Sequence, residues 1–196
     1  DYEIKEGVAW DNITWNDSLA KIALKMDAVC FGSLCQRNNV SGDTIKKFLA
    51  ATRSDCLRVF DINLRQQFYN DQIIHESLET ANVLKLNDEE LPVVASVHDL
   101  KGSDEDVARA LLKTYDLKLI SVTRGDKGAL MMTADVVNDF AGKKTDIVDT
   151  VGAGDAFTAA MIMGFLSGKK LDEINEHANK VAAFVCSQAG AVPETL

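Results

Sequence analysis

The chain has 196 residues, 46% of them hydrophobic and 26% charged, which suits one folded α/β domain over 1–196 with a core built without disulfides or metals. This composition excludes disordered, collagen-like and other low-complexity classes. Lys and Arg total 21 against 30 Asp and Glu, and the net charge of −9 argues against nucleic acid or an anionic membrane as the main partner, since both need a basic footprint.

In chain order, Leu19, Ile22, Ala23 and Met26 mark one helical face, and Ala28-Val29-Cys30-Phe31 is a buried strand ended by Gly32. Ser41 is the expected N-cap of a helix carrying Ile45, Phe48 and Leu49. Leu57–Ile62 reads as the next strand; Ile73, Ile74, Leu78 and Ala81 follow at helical spacing, then Val83–Leu86 as a strand. Helices are expected near Asp88–Ser96 and from Ser103 to Tyr115, and Leu117–Thr123 is a strand-like run. Ala129–Met132 and Val136–Phe140 form a hairpin about Thr133-Ala134-Asp135, and helices over Ala153–Leu166 and Leu171–Gln188 end the chain. Strands alternating with helices predict a mostly parallel sheet with helices on both faces.

Ligands of such sheets bind beyond the carboxyl ends of the strands. Ser33, Asp61–Arg65, Asn87–Glu90, Thr123–Gly128 and Asp149–Asp155 all follow a predicted strand and are expected to share one edge. Cys30, Cys35, Cys56 and Cys186 form no Cys-x-x-Cys, and His75, His98 and His177 stand apart, so zinc spacing is absent. Cys30 and Cys186 read as small buried hydrophobes in a reducing compartment. No apolar run nears the roughly 20 residues of a membrane span, and Asp1-Tyr2-Glu3-Ile4-Lys5 is no signal peptide, so a cytoplasmic chain is expected.

The strongest segment is Val148-Asp149-Thr150-Val151-Gly152-Ala153-Gly154-Asp155-Ala156-Phe157. Bare backbone N–H groups at a helix start make an anion hole. Asp155, in the first turn, would stand beside a bound phosphate, where a carboxylate can take a proton from an attacking hydroxyl. A plain glycine turn with Asp155 as a capping residue is the other reading. Asn87 and Glu90 share one side of a first helical turn and suit magnesium held through water and phosphates; they equally fit a capping box. Gly125 and Gly128 let backbone approach a nucleotide, with Thr123 offering a hydroxyl, or they form a simple β-turn. Arg65 is either a phosphate or sugar ligand or a surface ion-pair partner; Asp61 and Asn63 either hold sugar hydroxyls or cap a strand end.

Together, and in this order, the segments resemble the ribokinase-like (PfkB) carbohydrate kinases. Asp149–Phe157 is similar to the family's C-terminal signature. The resemblance makes Asp155 the catalytic base and sugar contact, and Gly152, Ala153 and Gly154 the anion hole. Asp61-Ile62-Asn63-Leu64-Arg65 resembles the sugar segment of the fructokinase and keto-deoxy-gluconate kinase branches, which favours fructose over ribose. Asn87-Asp88-Glu89-Glu90 resembles the motif that organises magnesium and phosphate, Thr123–Gly128 the nucleotide loop with Thr123, Gly125 and Gly128 at ATP, and Asn179 the residue beside adenine. The cofactors implied are ATP and Mg2+, with a monovalent cation such as K+ near Asp149 and the carbonyls of Val151 and Val185–Gly190.

Nothing matches the family's N-terminal Gly-Gly segment or its lid strands. The expectation is therefore the C-terminal, nucleotide-binding part of a sugar kinase, with Asp1–Ile13 the tail of the preceding region and homodimer pairing, if any, through the lid. The chain also starts without Met. The rival functions are a nucleotide- or sugar-binding protein without catalysis and, third, a dinucleotide oxidoreductase. The oxidoreductase needs Gly-x-Gly-x-x-Gly after an early strand with an acidic residue about 20 on, and neither is present.

Overall fold

A computed structural model describes residues 3–142 and 145–193, so Asp1 and Tyr2, part of the expected N-terminal tail, lie outside the described residues. Six strands lie in the order β1-β2-β3-β4-β5-β6 in a mixed, mostly parallel sheet, with seven α-helices among the described residues. By packing contacts the chain divides into two compact units, residues 1–84 and 85–196.

The first unit holds α1 (Asp17–Ala23), β1 (Ala28–Phe31), α2 (Asn39–Ala50), β2 (Leu57–Asp61) and α3 (Asp71–Thr80). β1 and β2 pair in parallel, with Ala28 opposite Leu57 and Phe31 opposite Phe60. The core takes in Phe60, Ile62, Ile74 and Leu78, all fully buried, each stabilising by about 1.5–3 kcal/mol relative to exposure. Helix starts are set by asparagines: Asn16 Oδ1 accepts from Ser18 N and Leu19 N, and Asn70 Oδ1 accepts from Ile73 N at 2.8 Å.

Two expectations need correcting here. The cap of α2 is Asn38, whose Oδ1 accepts from Val40 N at 3.0 Å; Ser41 is buried one turn inside, its Oγ accepting from Ile13 N at 2.9 Å. Both residues are good caps, and the tie to Ile13 is a long-range contact that takes Ser41 out of the competition. Cys30 is exposed rather than buried, because β1 is the first strand of the sheet and buries Phe31 while turning Cys30 outward.

The second unit begins within β3 (Val83–Asn87) and continues through α4 (Glu90–Val97), α5 (Asp104–Thr114), β4 (Leu119–Thr123), β5 (Gly128–Met132), β6 (Val137–Ala141), α6 (Ala153–Leu166) and α7 (Leu171–Cys186). Ser103 caps α5 in a reciprocal box with Asp106. β4, β5 and β6 form an antiparallel meander with Thr123 opposite Ala129 and Gly128 opposite Ala141. Leu86, Leu111, Leu119, Ile120, Met131, Met132 and Met161 are among the fully buried side chains of this unit. No helix among the described residues is long and apolar enough to cross a membrane.

Candidate active site

The second unit gathers most of the predicted residues. At the carboxyl ends of β3 and β4, Asp88 N donates to Thr123 O at 2.9 Å, and Thr123 Oγ1 reaches Leu86 O at 3.4 Å. The loop that follows turns through Gly125–Lys127 in one 3-10 turn and closes with Arg124 N donating to Gly128 O at 2.8 Å. Gly128 sits at φ +88°, and a Cβ there would strike Phe140 O, so only glycine lets this loop lie against the end of β6. Arg124 pairs with Asp139 across the meander, which holds the guanidinium's proton more firmly than usual.

The Gly-rich segment opens α6. Gly152 is its N-cap at φ +82°, and a Cβ on it would fall 2.5 Å from Ala191 O. Asp149 braces this turn from below: Oδ1 accepts from Val151 N at 3.0 Å and Oδ2 from Gly190 N at 3.2 Å. The first bond of the helix runs from Ala156 N to Gly152 O at 2.9 Å, and Ala153 N turns back to Thr150 O at 3.3 Å. The N–H groups of Gly154 and Asp155 therefore have no acceptor within the helix, at the end where its dipole favours an anion. Asp155 itself is exposed in this first turn.

A cavity of about 470 Å3 joins these parts. Thr123, Gly125, Gly128, Ala153, Gly154 and Asn179 all line it. Gly152, Asp149, Asp155, Asn87 and Glu90 are not in its wall. Asn87 and Glu90 form the reciprocal cap that their spacing allows: Asn87 Oδ1 accepts from Glu89 N and Glu90 N, and Glu90 Oε2 accepts from Asn87 N at 2.9 Å. Among the described residues, no three or more His, Cys, Asp or Glu are grouped to hold a metal. Of the predicted sugar residues, Asp61, Asn63 and Arg65 belong to the first unit and Asp155 to the second. Asp61 ends β2 and is buried, Asn63 adopts φ +48°, which asparagine tolerates, and Arg65 Nη1 donates to Leu64 O at 3.1 Å. Ser33 meets this turn, its Oγ donating to Ile62 O at 2.8 Å.

Sequence reasoning missed three features. Lys85, in the middle of β3, is only 7% exposed, and its Nζ lies 3.7 Å from where a Gly154 Cβ would be. A lysine inside a strand read as buried was the available signal, because an ammonium leaves water only for compensating partners. Phe140, Ala182, Ala183 and Cys186 add an apolar stretch to the cavity wall; Cys186 is half-buried and lines this cavity rather than the core, and burial pushes its thiol pKa up. Asn175, wholly buried beneath Asn179, reads in sequence as one polar residue of an amphipathic helix.

Comparison with known proteins places this geometry. The profile of the pfkB family of carbohydrate kinases matches residues 9–195. The uncharacterized sugar kinase PH1459 of Pyrococcus horikoshii is 31% identical over 195 residues, covering 95% of this chain and 58% of that protein. Its crystal structure in complex with ATP superposes with a TM-score of 0.77 over 95% of this chain and 60% of that one, at 29% identity. A fructokinase of Escherichia coli is 31% identical over 144 residues, 68% of this chain and 46% of that protein. A ribokinase-fold structure from Escherichia coli, solved with ATP and Mg2+, superposes with a TM-score of 0.78 over 88% of this chain and 56% of that one; at 20% identity it speaks to the fold alone. The chain belongs to the pfkB family of carbohydrate kinases. It spans roughly half to three-fifths of the length of the curated relatives named here.

Proposed function

We propose that this chain carries the nucleotide-binding and phosphoryl-transfer part of an ATP-dependent sugar kinase acting on a primary hydroxyl, with fructose the favoured acceptor. The observation that carries this reading is the single cavity shared by the Thr123–Gly128 loop, Asn179 and the N-terminus of α6. A nucleotide laid along it would place its base against α7 and its phosphates at Gly154.

Transfer would proceed in line. Asp155 accepts the proton of the sugar hydroxyl as that oxygen attacks the γ-phosphorus of ATP, and ADP leaves from the opposite side. N–H groups in the Gly152–Asp155 turn donate to the phosphoryl oxygens as charge builds there; by analogy with oxyanion holes each donor contributes about 2.7–4 kcal/mol. The Lys85 ammonium, beside Gly154, adds a fixed positive charge to the same place. Asp61, Asn63 and Arg65 are the proposed sugar ligands, on the strength of their likeness to the fructokinase segment.

Mg2+, when bound, neutralises charge on the phosphates. Glu90 and Asn87 are the proposed residues beside it; Asn87 Oδ1 already accepts from Glu89 N and Glu90 N, which fits a metal held mainly through water and phosphate rather than in a protein cage. Asp149 and the carbonyls near Val151 and Val185–Gly190 are the proposed place of a monovalent cation. ADP release measured across a panel of sugars tests the reading: release dependent on fructose is expected, and none with any sugar contradicts it. Glu90→Gln retains an oxygen acceptor for Asn87 N but loses the charge. In an Mg2+ titration of the rate it should raise the half-saturating concentration; an unaltered titration assigns Glu90 to capping alone.

A further inference from the structure

The wall that α7 gives to the cavity presents a hydrogen-bond acceptor whose orientation is set one turn deeper. Asn175 is 0% exposed. Its Nδ2 donates to Ala129 O at 2.9 Å, to Asn138 Oδ1 at 2.8 Å and to Asn138 O at 3.2 Å. Two of these partners are backbone carbonyls, which only accept, so they fix which end of the Asn175 amide faces them. Its Oδ1 is thereby turned toward Asn179. That oxygen and the Asn175 backbone carbonyl both accept from Asn179 Nδ2, at 2.9 and 2.8 Å. An amide nitrogen carries two hydrogens, and both are committed. A flipped Asn179 would press its own oxygen against two acceptors with no proton between them. What Asn179 retains for the cavity it lines is its Oδ1.

The neighbours of Asn179 on that wall are mostly apolar, apart from Lys180, whose Nζ pairs with Glu176 at 2.9 Å. Ala182, Ala183 and Cys186 follow it along α7, and Phe140 comes from β6, whereas Ala153 and Gly154 at the start of α6 supply the anion-binding part of the same cavity. A flat aromatic base suits the first set and a phosphate the second. Asn179 Oδ1, set among the apolar side chains of α7 and β6, therefore faces the base.

We propose that Asn175 is a positioning residue for nucleotide specificity: by locking Asn179 as an acceptor, it makes the cavity select a purine with an amino group at C6 over one with a carbonyl there. This inference rests on the cavity being a nucleotide site, as argued above. Adenine can donate its exocyclic N–H to Asn179 Oδ1. Hypoxanthine and guanine set O6 against it, and a buried acceptor left without a donor weakens binding by about tenfold or more.

Calorimetric titration of the chain with Mg-ADP, Mg-IDP and the Mg complex of purine riboside diphosphate, which has only hydrogen at C6, tests it. The expected order is ADP, then purine riboside diphosphate, then IDP, with ADP at least about tenfold tighter than IDP. Asn179→Ala should bring the ADP to IDP ratio close to one, mostly by weakening ADP. Asn175→Ala removes one of the two acceptors that orient Asn179 and leaves the backbone carbonyl, so it should lower the same ratio part of the way while ADP still binds, a change that a purely structural role would not produce. Asn175 is buried, so if that variant does not fold, Asn175→Ser, which also lacks the amide oxygen, supplies the same comparison, and Asn179→Ala and the three-ligand order test the acceptor itself. Equal affinity for ADP and IDP in the unaltered chain, or an unchanged ratio in Asn179→Ala, overturns the inference while leaving the nucleotide site standing. Binding of none of the three overturns the nucleotide-site reading, and this inference with it.

Discussion

Asp155→Asn is expected to lower kcat by about 10²- to 10⁴-fold, the usual loss when a positioned general base is removed. The amide is the same size and remains in the first turn of α6, so the Gly152 turn and its N–H groups stay where they are. Mg-ATP affinity should change little, and so should Tm, because Asp155 is exposed and an exposed charge at a helix start contributes no more than about 1 kcal/mol. A fall confined to kcat is the signature of a group that acts in the transition state rather than in binding. A fall smaller than about tenfold would remove Asp155 from the role of base and leave it as a helix-start carboxylate.

Gly152→Ala should fail in a different way. The residue sits at φ +82°, and the new Cβ would lie 2.5 Å from Ala191 O and 3.0 Å from Ala191 Cα, both backbone atoms with nowhere to yield. A non-glycine residue held in such a conformation costs about 1–3 kcal/mol, which for a chain of this size lowers Tm by roughly 2–12 °C. Relief of the clash must move either the α6 start or the 190–191 segment, and Asp149 ties the two together through Val151 N and Gly190 N. The N–H groups that meet the phosphates then lose their alignment, so Mg-ATP binding should weaken by about tenfold or more along with turnover. Thermal melting and nucleotide titration on the same sample check this. Unchanged binding in a folded Gly152→Ala chain would mean that the turn holds no phosphate.

Legibility in the sequence followed the range of the interactions. Ala28–Phe31 and Ala153–Leu166 are set by local pattern, apolar run and glycine turn, and their predicted limits coincide with β1 and α6. Asn38 displaced Ser41 as a cap because Ser41 is claimed by Ile13, 28 residues away, which no local spacing reveals. Chain order likewise places Asn87–Glu90 and Thr123–Gly128 after strands, and the structure joins Asp88 to Thr123 by one backbone bond. Asn175 escaped because its partner carbonyls lie 37 and 46 residues earlier, on β6 and β5. Lys85 escaped because periodicity counts a lysine as a polar interruption, whereas Gly154, which its Nζ approaches, lies far along the chain.

The most direct test of the account is calorimetric titration of the folded chain with Mg-ATP, followed by fructose. Every residue assigned to the nucleotide lies within residues 85–196, and those that line the cavity surround a space of about 470 Å3. The account predicts stoichiometric Mg-ATP binding that Gly152→Ala weakens and Asp155→Asn preserves, with fructose binding weaker than nucleotide binding. Tight fructose binding with no nucleotide binding would contradict it.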